Sequence, residues 1–312
     1  MIVVCGEALM DVFAAGQTAT GLMLDARVGG SPFNVAVGLA RLKQPVAFLS
    51  AVSEGFLGER LMAALQSEGV DISAVARTAA PTTLSLVGLD AKGVPSYSFY
   101  GQGAADRQLQ LTDLAALTGL AQSAQAVHLG SYATVVEPTA STLRALVERE
   151  HKRCLIAYDP NLRLNVEPDV GAWRNAVSWM LPRTHLLKIS DEDLALLQPG
   201  VAPVDFAAHA LSQGVTWVVV TRGGEGALAW CAQGDAQVAS PQVSVIDTVG
   251  AGDTFQAALL TWLAEHNALS PSAMARLDVA SLKQALQFAA AAAAITCSRR
   301  GADMPRRAEL SL

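Results

Sequence analysis

The feature that most constrains this 312-residue chain is a strict alternation of two kinds of segment. Short apolar runs at residues 2–5, 46–49, 126–129, 155–158, 185–189, 217–220 and 227–230 read as strands. Between them, residues 33–42, 58–68, 137–150, 172–180, 203–213, 253–266 and 281–296 carry helical periodicity. A β-then-α order with strands that are apolar throughout predicts an α/β fold. Its core is a doubly wound, mostly parallel sheet with helices on both faces. Ligands of such sheets bind beyond the carboxyl ends of the strands. Asp11, Asp159 and Asp253 all follow predicted strands, so one crevice is expected to gather them.

Two stretches break the alternation. Residues 13–28 are polar and rich in Gly and Thr. Residues 81–102 alternate in the strand manner (Leu84, Leu86, then Tyr97, Phe99) around the turn Asp90-Ala91-Lys92-Gly93. The expectation is one α/β domain over 1–312, with a small β lid built from about 12–28 and 81–103. A plain surface hairpin is the alternative for the second stretch.

Composition excludes several classes. Hydrophobic residues make up 51% and charged residues 16%, which allows a large core and argues against disorder. The net charge is −6, and the densest basic runs are the pairs Arg299-Arg300 and Arg306-Arg307, so nucleic-acid binding is not expected. The four cysteines are dispersed, with no CxxC; Cys5 and Cys154 lie inside apolar runs and read as buried thiols, which suggests a reducing compartment. The six alanines at 289–294 belong to a run too short to span a bilayer. The chain enters a strand at once, with no basic leader, and a cytoplasmic location without membrane contact is expected.

The chemistry concentrates in Asp247-Thr248-Val249-Gly250-Ala251-Gly252-Asp253-Thr254-Phe255. Val243, Val245 and Ile246 before it read as the end of a buried strand. Phe255, Ala258, Leu259, Trp262 and Leu263 after it form one apolar helix face. Gly250-Ala251-Gly252 therefore lies at a helix start, where unpaired N–H groups and the helix dipole favour an anion. Asp253 follows in the first turn. As a binding group it would repel phosphate; as a base for phosphoryl transfer it makes sense. On position alone, dipole compensation explains it equally well.

A second candidate is Gly29-Gly30-Ser31-Pro32-Phe33-Asn34. The glycine pair admits close backbone approach, Ser31 and Pro32 suit an N-cap and a first helical position, and Asn34 offers a donor and an acceptor to a polyol. A plain capped helix is the simpler alternative. The turn Thr221-Arg222-Gly223-Gly224-Glu225-Gly226 could cradle a nucleotide or merely join two strands. No GxxxxGK[ST] occurs, and the first strand lacks GxGxxG, which weakens a dehydrogenase.

In this order and spacing, the segments resemble the ribokinase-like (PfkB) carbohydrate kinases over nearly the whole chain. Gly6-Glu7-Ala8-Leu9-Met10-Asp11 resembles that family's opening. Tyr158-Asp159-Pro160-Asn161-Leu162-Arg163 and Leu187-Lys188-Ile189-Ser190-Asp191-Glu192-Asp193 look like its fructokinase branch, and Arg299-Arg300-Gly301-Ala302 like its C-terminal turn. The resemblance implies an ATP-dependent sugar kinase, most simply one that makes fructose 6-phosphate. It implies that Asp253 is the base and that Gly250, Ala251 and Gly252 form the anion hole. Asp11, Gly29, Gly30 and Asn34 would hold sugar hydroxyls, with Tyr100 stacking on the ring. Arg163 would lie between sugar and phosphate, where a guanidinium fork suits better than an ammonium; a surface ion pair is its plainer reading. Lys188, Ser190, Thr221, Gly223, Gly224, Gly226, Gly250 and Gly252 would meet the nucleotide.

The resemblance also implies Mg²⁺, which enters with ATP. Ser190 and Asp193 stand where many relatives carry an Asn-x-x-Glu, so Asp193 would reach the ion through water. A K⁺ site would use Asp247, Val249, Thr296, Arg299 and Gly301. Kinases of the same fold for 2-keto-3-deoxygluconate, ribose or a nucleoside are alternatives, as is a non-catalytic sugar-binding protein. If Leu84, Leu86 and Val87 are exposed on the lid, a homodimer through it would cover them.

Overall fold

The structure is a computed structural model that describes residues 1–89, 95–119 and 124–310. Thirteen strands are present among these residues: β1 (Ile2–Cys5), β2 (Leu9–Gln17), β3 (Leu22–Gly29), β4 (Val46–Ser53), β5 (Val75–Thr78), β6 (Leu84–Leu89), β7 (Pro95–Tyr100), β8 (Ala126–Gly130), β9 (Leu155–Asp159), β10 (Leu186–Ser190), β11 (Trp217–Thr221), β12 (Ala227–Cys231) and β13 (Gly234–Val238). The helices are α1 (Ser31–Arg41), α2 (Phe56–Ser67), α3 (Thr139–Glu150), α4 (Val170–Met180), α5 (Asp191–Leu197), α6 (Pro203–Ser212), α7 (Ala251–Glu265), α8 (Pro271–Met274) and α9 (Val279–Cys297).

Nine strands form the main sheet in the order β13-β12-β11-β10-β9-β8-β1-β4-β5. Strands β5 to β11 of that order are parallel, and β12 and β13 close one edge antiparallel. Alternate residues of each strand feed two separate cores. Ile2 and Val4 join a cluster with α1, α2, α7 and α9, while Val3 and Cys5 join one with α3, α4, α5 and α6. That division explains why the strands are apolar throughout rather than alternating. The chain winds outwards from β1 through β4 to β5, then resumes on the other side of β1 at β8. The carboxyl ends of β1 and β8 thus flank a topological switch point, the place where such sheets bind ligands.

A second sheet, in the order β3-β2-β6-β7, uses the two stretches that broke the alternation. β2 pairs β3 antiparallel and β6 parallel, and β6 pairs β7 antiparallel. The turn read at Asp90–Gly93 lies outside the described residues. Leu84 and Leu86 are not a bare face, since both pack against the main core. Among the described residues of this sheet, the exposed aliphatic side chains sit instead on β3, at Leu22, Met23 and Leu24.

One expected strand is absent. Val243, Val245 and Ile246 lie in the loop between β13 and α7, with Val245 and Ile246 more than half exposed at 62% and 65%. β13 remains the edge of the sheet, and this apolar stretch does not pair with it. Ile246 and Asp247 instead donate their N–H groups to the Cys297 carbonyl, at 2.8 and 3.3 Å, tying the loop to the end of α9.

Candidate active site

The first turn of α7 meets the first turn of α1. Gly250 precedes α7 in the left-handed conformation (φ 77°). A Cβ there would lie 2.6 Å from the Ala302 Cβ and 2.9 Å from its Cα, so only glycine fits. The Ala251 N–H is consumed by the Thr248 carbonyl at 3.2 Å. This corrects the expectation that Gly250, Ala251 and Gly252 all offer donors. In this turn, no protein acceptor is found among the described residues for the N–H groups of Gly250, Gly252 and Asp253.

Asp253 is buried, and both of its oxygens are engaged. Ser31 Oγ donates to Oδ1 at 2.7 Å and Asn34 Nδ2 to Oδ2 at 2.8 Å. The N-cap of α1 is Gly30, which makes no side-chain cap. Ser31 is therefore not the cap it resembles; it is inside the helix and turns its hydroxyl on the carboxylate. Burial pushes the Asp253 pKa above the usual carboxylate value. Ser31, Asn34 and the Lys188 charge pull it back, and Asp159 adds a further upward push.

Lys188, in the middle of β10, and Asp159, the last residue of the neighbouring β9, form a buried ion pair at 2.6 Å. A Cβ on Gly252 would stand 3.4 Å from Lys188 Nζ, so the ammonium lies beside the free N–H groups of α7. Asp159 Oδ1 is buried without a partner among the described residues. Asp193 sits close by, and burial first, then the Asp159 charge, lifts its pKa to about 6. Asp193 Oδ1 accepts from the Leu162 N–H at 3.2 Å. Ser190 Oγ accepts the Asp193 N–H at 3.0 Å and so caps α5.

On the other side of Asp253, Gly29 packs on Asp11: a Cβ would fall 2.3 Å from Asp11 Oδ2. Gly30 (φ 107°) packs on the Glu7 carbonyl in the same way, at 2.7 Å. Burial raises the Asp11 pKa, Ser85 and Arg163 lower it, and Asp253 raises it again. Glu7 is fully buried, its Oε2 lacks a partner among the described residues, and burial lifts its pKa to about 7. Arg163 donates to the Leu162 carbonyl at 2.9 Å, and its charge acts on Glu7, Asp11 and Asp193 together. Asp11 and Asn34 open onto a cavity of about 360 Å³, bounded also by Phe13, Arg27, Phe33 and Met304.

Not every expected residue converges. Tyr100 is 62% exposed on β7, an edge strand separated from β2 by β6. Thr221 ends β11 opposite Ser190 of β10, which brings the following turn to the same sheet edge. There a Cβ on Gly223 or Gly224 would meet nothing, whereas one on Gly226 would strike the Val238 carbonyl at 2.1 Å. Gly226 is thus needed for packing on β13, and the other two leave open backbone. Asp247 spends its oxygens on the N–H groups of Val249 (3.1 Å) and Gly301 (2.8 Å), joining the two loops read as a K⁺ site. Thr296 is buried with its hydroxyl 2.9 Å from that of Thr254, and its carbonyl accepts the Arg299 N–H at 3.0 Å. Ser31, Glu7 and the Asp159–Lys188 pairing were not assigned from sequence. A serine ahead of proline signals a cap, and pairing between strands has no local signature.

The model of the pfkB family of carbohydrate kinases matches residues 1–308. The chain belongs to the pfkB family of carbohydrate kinases. A fructokinase of Rhizobium leguminosarum bv. trifolii is 35% identical over 283 residues, 91% of this chain and 86% of that protein. Among solved structures, a Xylella fastidiosa fructokinase with bound ATP superposes with a TM-score of 0.89 at 27% identity, covering 99% and 96% of the two chains. A double mutant of a Vibrio cholerae O395 fructokinase, bound to fructose, ADP and potassium ion, gives 0.84 at 26% identity, covering 99% and 96%. As a pfkB carbohydrate kinase the chain is a sugar phosphotransferase, and its α/β fold is the ribokinase-like one.

Proposed function

We propose that the protein transfers the γ-phosphoryl group of ATP to the 6-hydroxyl of D-fructose. The observation that carries this reading is Asp253, a buried carboxylate aimed by Ser31 and Asn34 and set in the turn that holds the free N–H groups of Gly250 and Gly252. Asp253 takes the proton of the attacking hydroxyl as its oxygen bonds phosphorus. The N–H groups and Lys188 offset the charge that grows on the transferred group. Asp11, Asn34 and the backbone at Gly29 and Gly30 hold the acceptor hydroxyls, and Arg163 bridges acceptor and phosphate. The open backbone at Gly223 and Gly224, with Thr221, receives the nucleotide. The four-stranded sheet acts as the lid, carrying Asp11 onto the sugar and excluding water as a competing acceptor.

Asp193 and the unpartnered Asp159 Oδ1 fit a Mg²⁺ that arrives with ATP, since a hard cation wants carboxylate oxygens and keeps its waters. When bound, Mg²⁺ neutralises charge on the phosphate oxygens. Asp247 with the carbonyls of Val249, Thr296, Arg299 and Gly301 would hold K⁺. Leu22, Met23 and Leu24 are the surface through which the lid would pair in a homodimer, which sedimentation tests. No helix among the described residues is long and apolar enough to cross a membrane.

The test of function is ADP formation with Mg²⁺ and ATP across fructose, ribose, 2-keto-3-deoxygluconate and a nucleoside. Fructose is expected to give the highest kcat/KM. Higher kcat/KM with any of the others, or no ADP with any sugar, contradicts the reading.

A further inference from the structure

The acceptor-binding sheet and the phosphate-binding turn meet at Arg27. Arg27 and Asp11 are direct cross-strand partners in the β2–β3 pair, as are Asp25 and Phe13. Partners in such a pair share a face, so Arg27 points into the same cavity as Asp11. Its Nε and Nη2 both donate to Asp25 Oδ2, at 2.8 and 2.6 Å, and its Cζ stands 5.6 Å from the centre of the Phe13 ring. A half-exposed ion pair of this kind contributes little stability. It does fix the plane of the guanidinium. The remaining nitrogen, Nη1, has no acceptor among the described residues and lies over Gly301, where a Cβ would come within 3.2 Å of it.

Gly301 is left-handed (φ 71°) and sits in the turn that backs the anion hole. Its N–H is held by Asp247 Oδ2, and Asp247 Oδ1 holds Val249, the residue before Gly250. Ala302, the next residue, fills the space against Gly250. A short chain of contacts therefore runs from the cross-strand partner of Asp11 to the backbone that receives phosphate. We propose that Arg27 is a positioning residue. It presses on Gly301 and couples acceptor binding on the four-stranded sheet to the order of the Gly250–Gly252 turn. Any movement that carries Asp11 onto the acceptor carries Arg27 with it. This deepens the kinase reading above and rests on it.

Coupling of this kind is reciprocal, so each ligand tightens the other by one factor. The experiment is calorimetric binding of a non-hydrolysable ATP analogue with Mg²⁺, with and without saturating fructose, on the full chain. In the wild type, fructose is expected to tighten the analogue by about fivefold or more. In Arg27→Ala that ratio is expected to fall to within twofold of one, while fructose still binds alone. Gly301→Ala perturbs the same contact from the other side and is expected to lower the ratio as well. Thermal unfolding shows whether each variant is folded. A wild type without coupling, or a folded Arg27→Ala with the wild-type ratio, overturns the proposal. A wild type that binds no fructose overturns the function reading on which it rests, which is a separate outcome.

Discussion

Ser31 Oγ and Asp253 Oδ1, 222 residues apart in sequence, are joined by a 2.7 Å hydrogen bond that makes α1 the support of the proposed base. The bond favours the ionised carboxylate against the burial that opposes it. Ser31→Ala removes that support, so the Asp253 pKa rises further. The acid limb of the kcat/KM profile is expected to move to higher pH, with kcat at neutral pH falling roughly tenfold, the worth of one bond to a charged group. An unmoved acid limb would separate Ser31 from the base.

Gly29 leaves room for Asp11, the proposed acceptor-binding carboxylate, because a side chain there would occupy the place of Asp11 Oδ2. Gly29→Ala must displace that carboxylate. The KM for fructose is expected to rise by about tenfold or more, the loss of one good hydrogen-bonded contact, with the KM for ATP little changed. Steady-state kinetics with each substrate varied in turn checks the split.

The Lys188–Asp159 pair is buried on both sides. Removing one partner leaves an uncompensated buried charge, whereas removing both does not. Lys188→Met alone is expected to lose about 3–5 kcal/mol in denaturant unfolding at pH 7. The Lys188→Met, Asp159→Asn double variant should recover more than half of that. Activity should recover in neither, because the positive charge beside Gly252 is gone from both.

Much of this fold was legible because burial on two faces leaves apolar strands, and one-sided burial leaves helical periodicity. The run from Phe255 to Leu263 is helical as its spacing indicates, but α7 is buried on every side, Gln256 and Thr261 included, rather than on one face. The apolar residues Val243, Val245 and Ile246 misled for the same reason. They look like a strand, but the path of the chain takes them to the end of α9, where Ile246 and Asp247 bond the Cys297 carbonyl, and not along the sheet edge. The site was legible where backbone demands a residue type, at Gly30 and Gly250. It was not legible where two distant polar groups meet, as Ser31 does with Asp253 or Lys188 with Asp159. Ser31 reads locally as a cap because the pattern of serine before proline is identical in both roles.

Glu7 gives the fold a pH dependence of its own. Its pKa lies at about 7 in the folded chain against an ordinary value of 4.5, mainly through burial. The folded state therefore holds the proton more tightly than the unfolded one. The stability this confers is present below the ordinary value and is lost as pH rises through about 7. Glu7→Gln mimics the protonated form. Between pH 5 and pH 8 the wild type is expected to lose on the order of 2–3 kcal/mol that Glu7→Gln keeps. Parallel denaturant curves for the two proteins across that range would contradict the assignment.

The central claim, that Asp253 is the base for phosphorylation of fructose, is tested most directly by Asp253→Asn. The measurement is kcat for ADP formation with fructose, ATP and Mg²⁺, beside calorimetric binding of both substrates. The account predicts a fall in kcat of about 10²–10⁴ with both substrates still bound within a few-fold of the wild type. A folded Asp253→Asn that keeps near-normal kcat would contradict it.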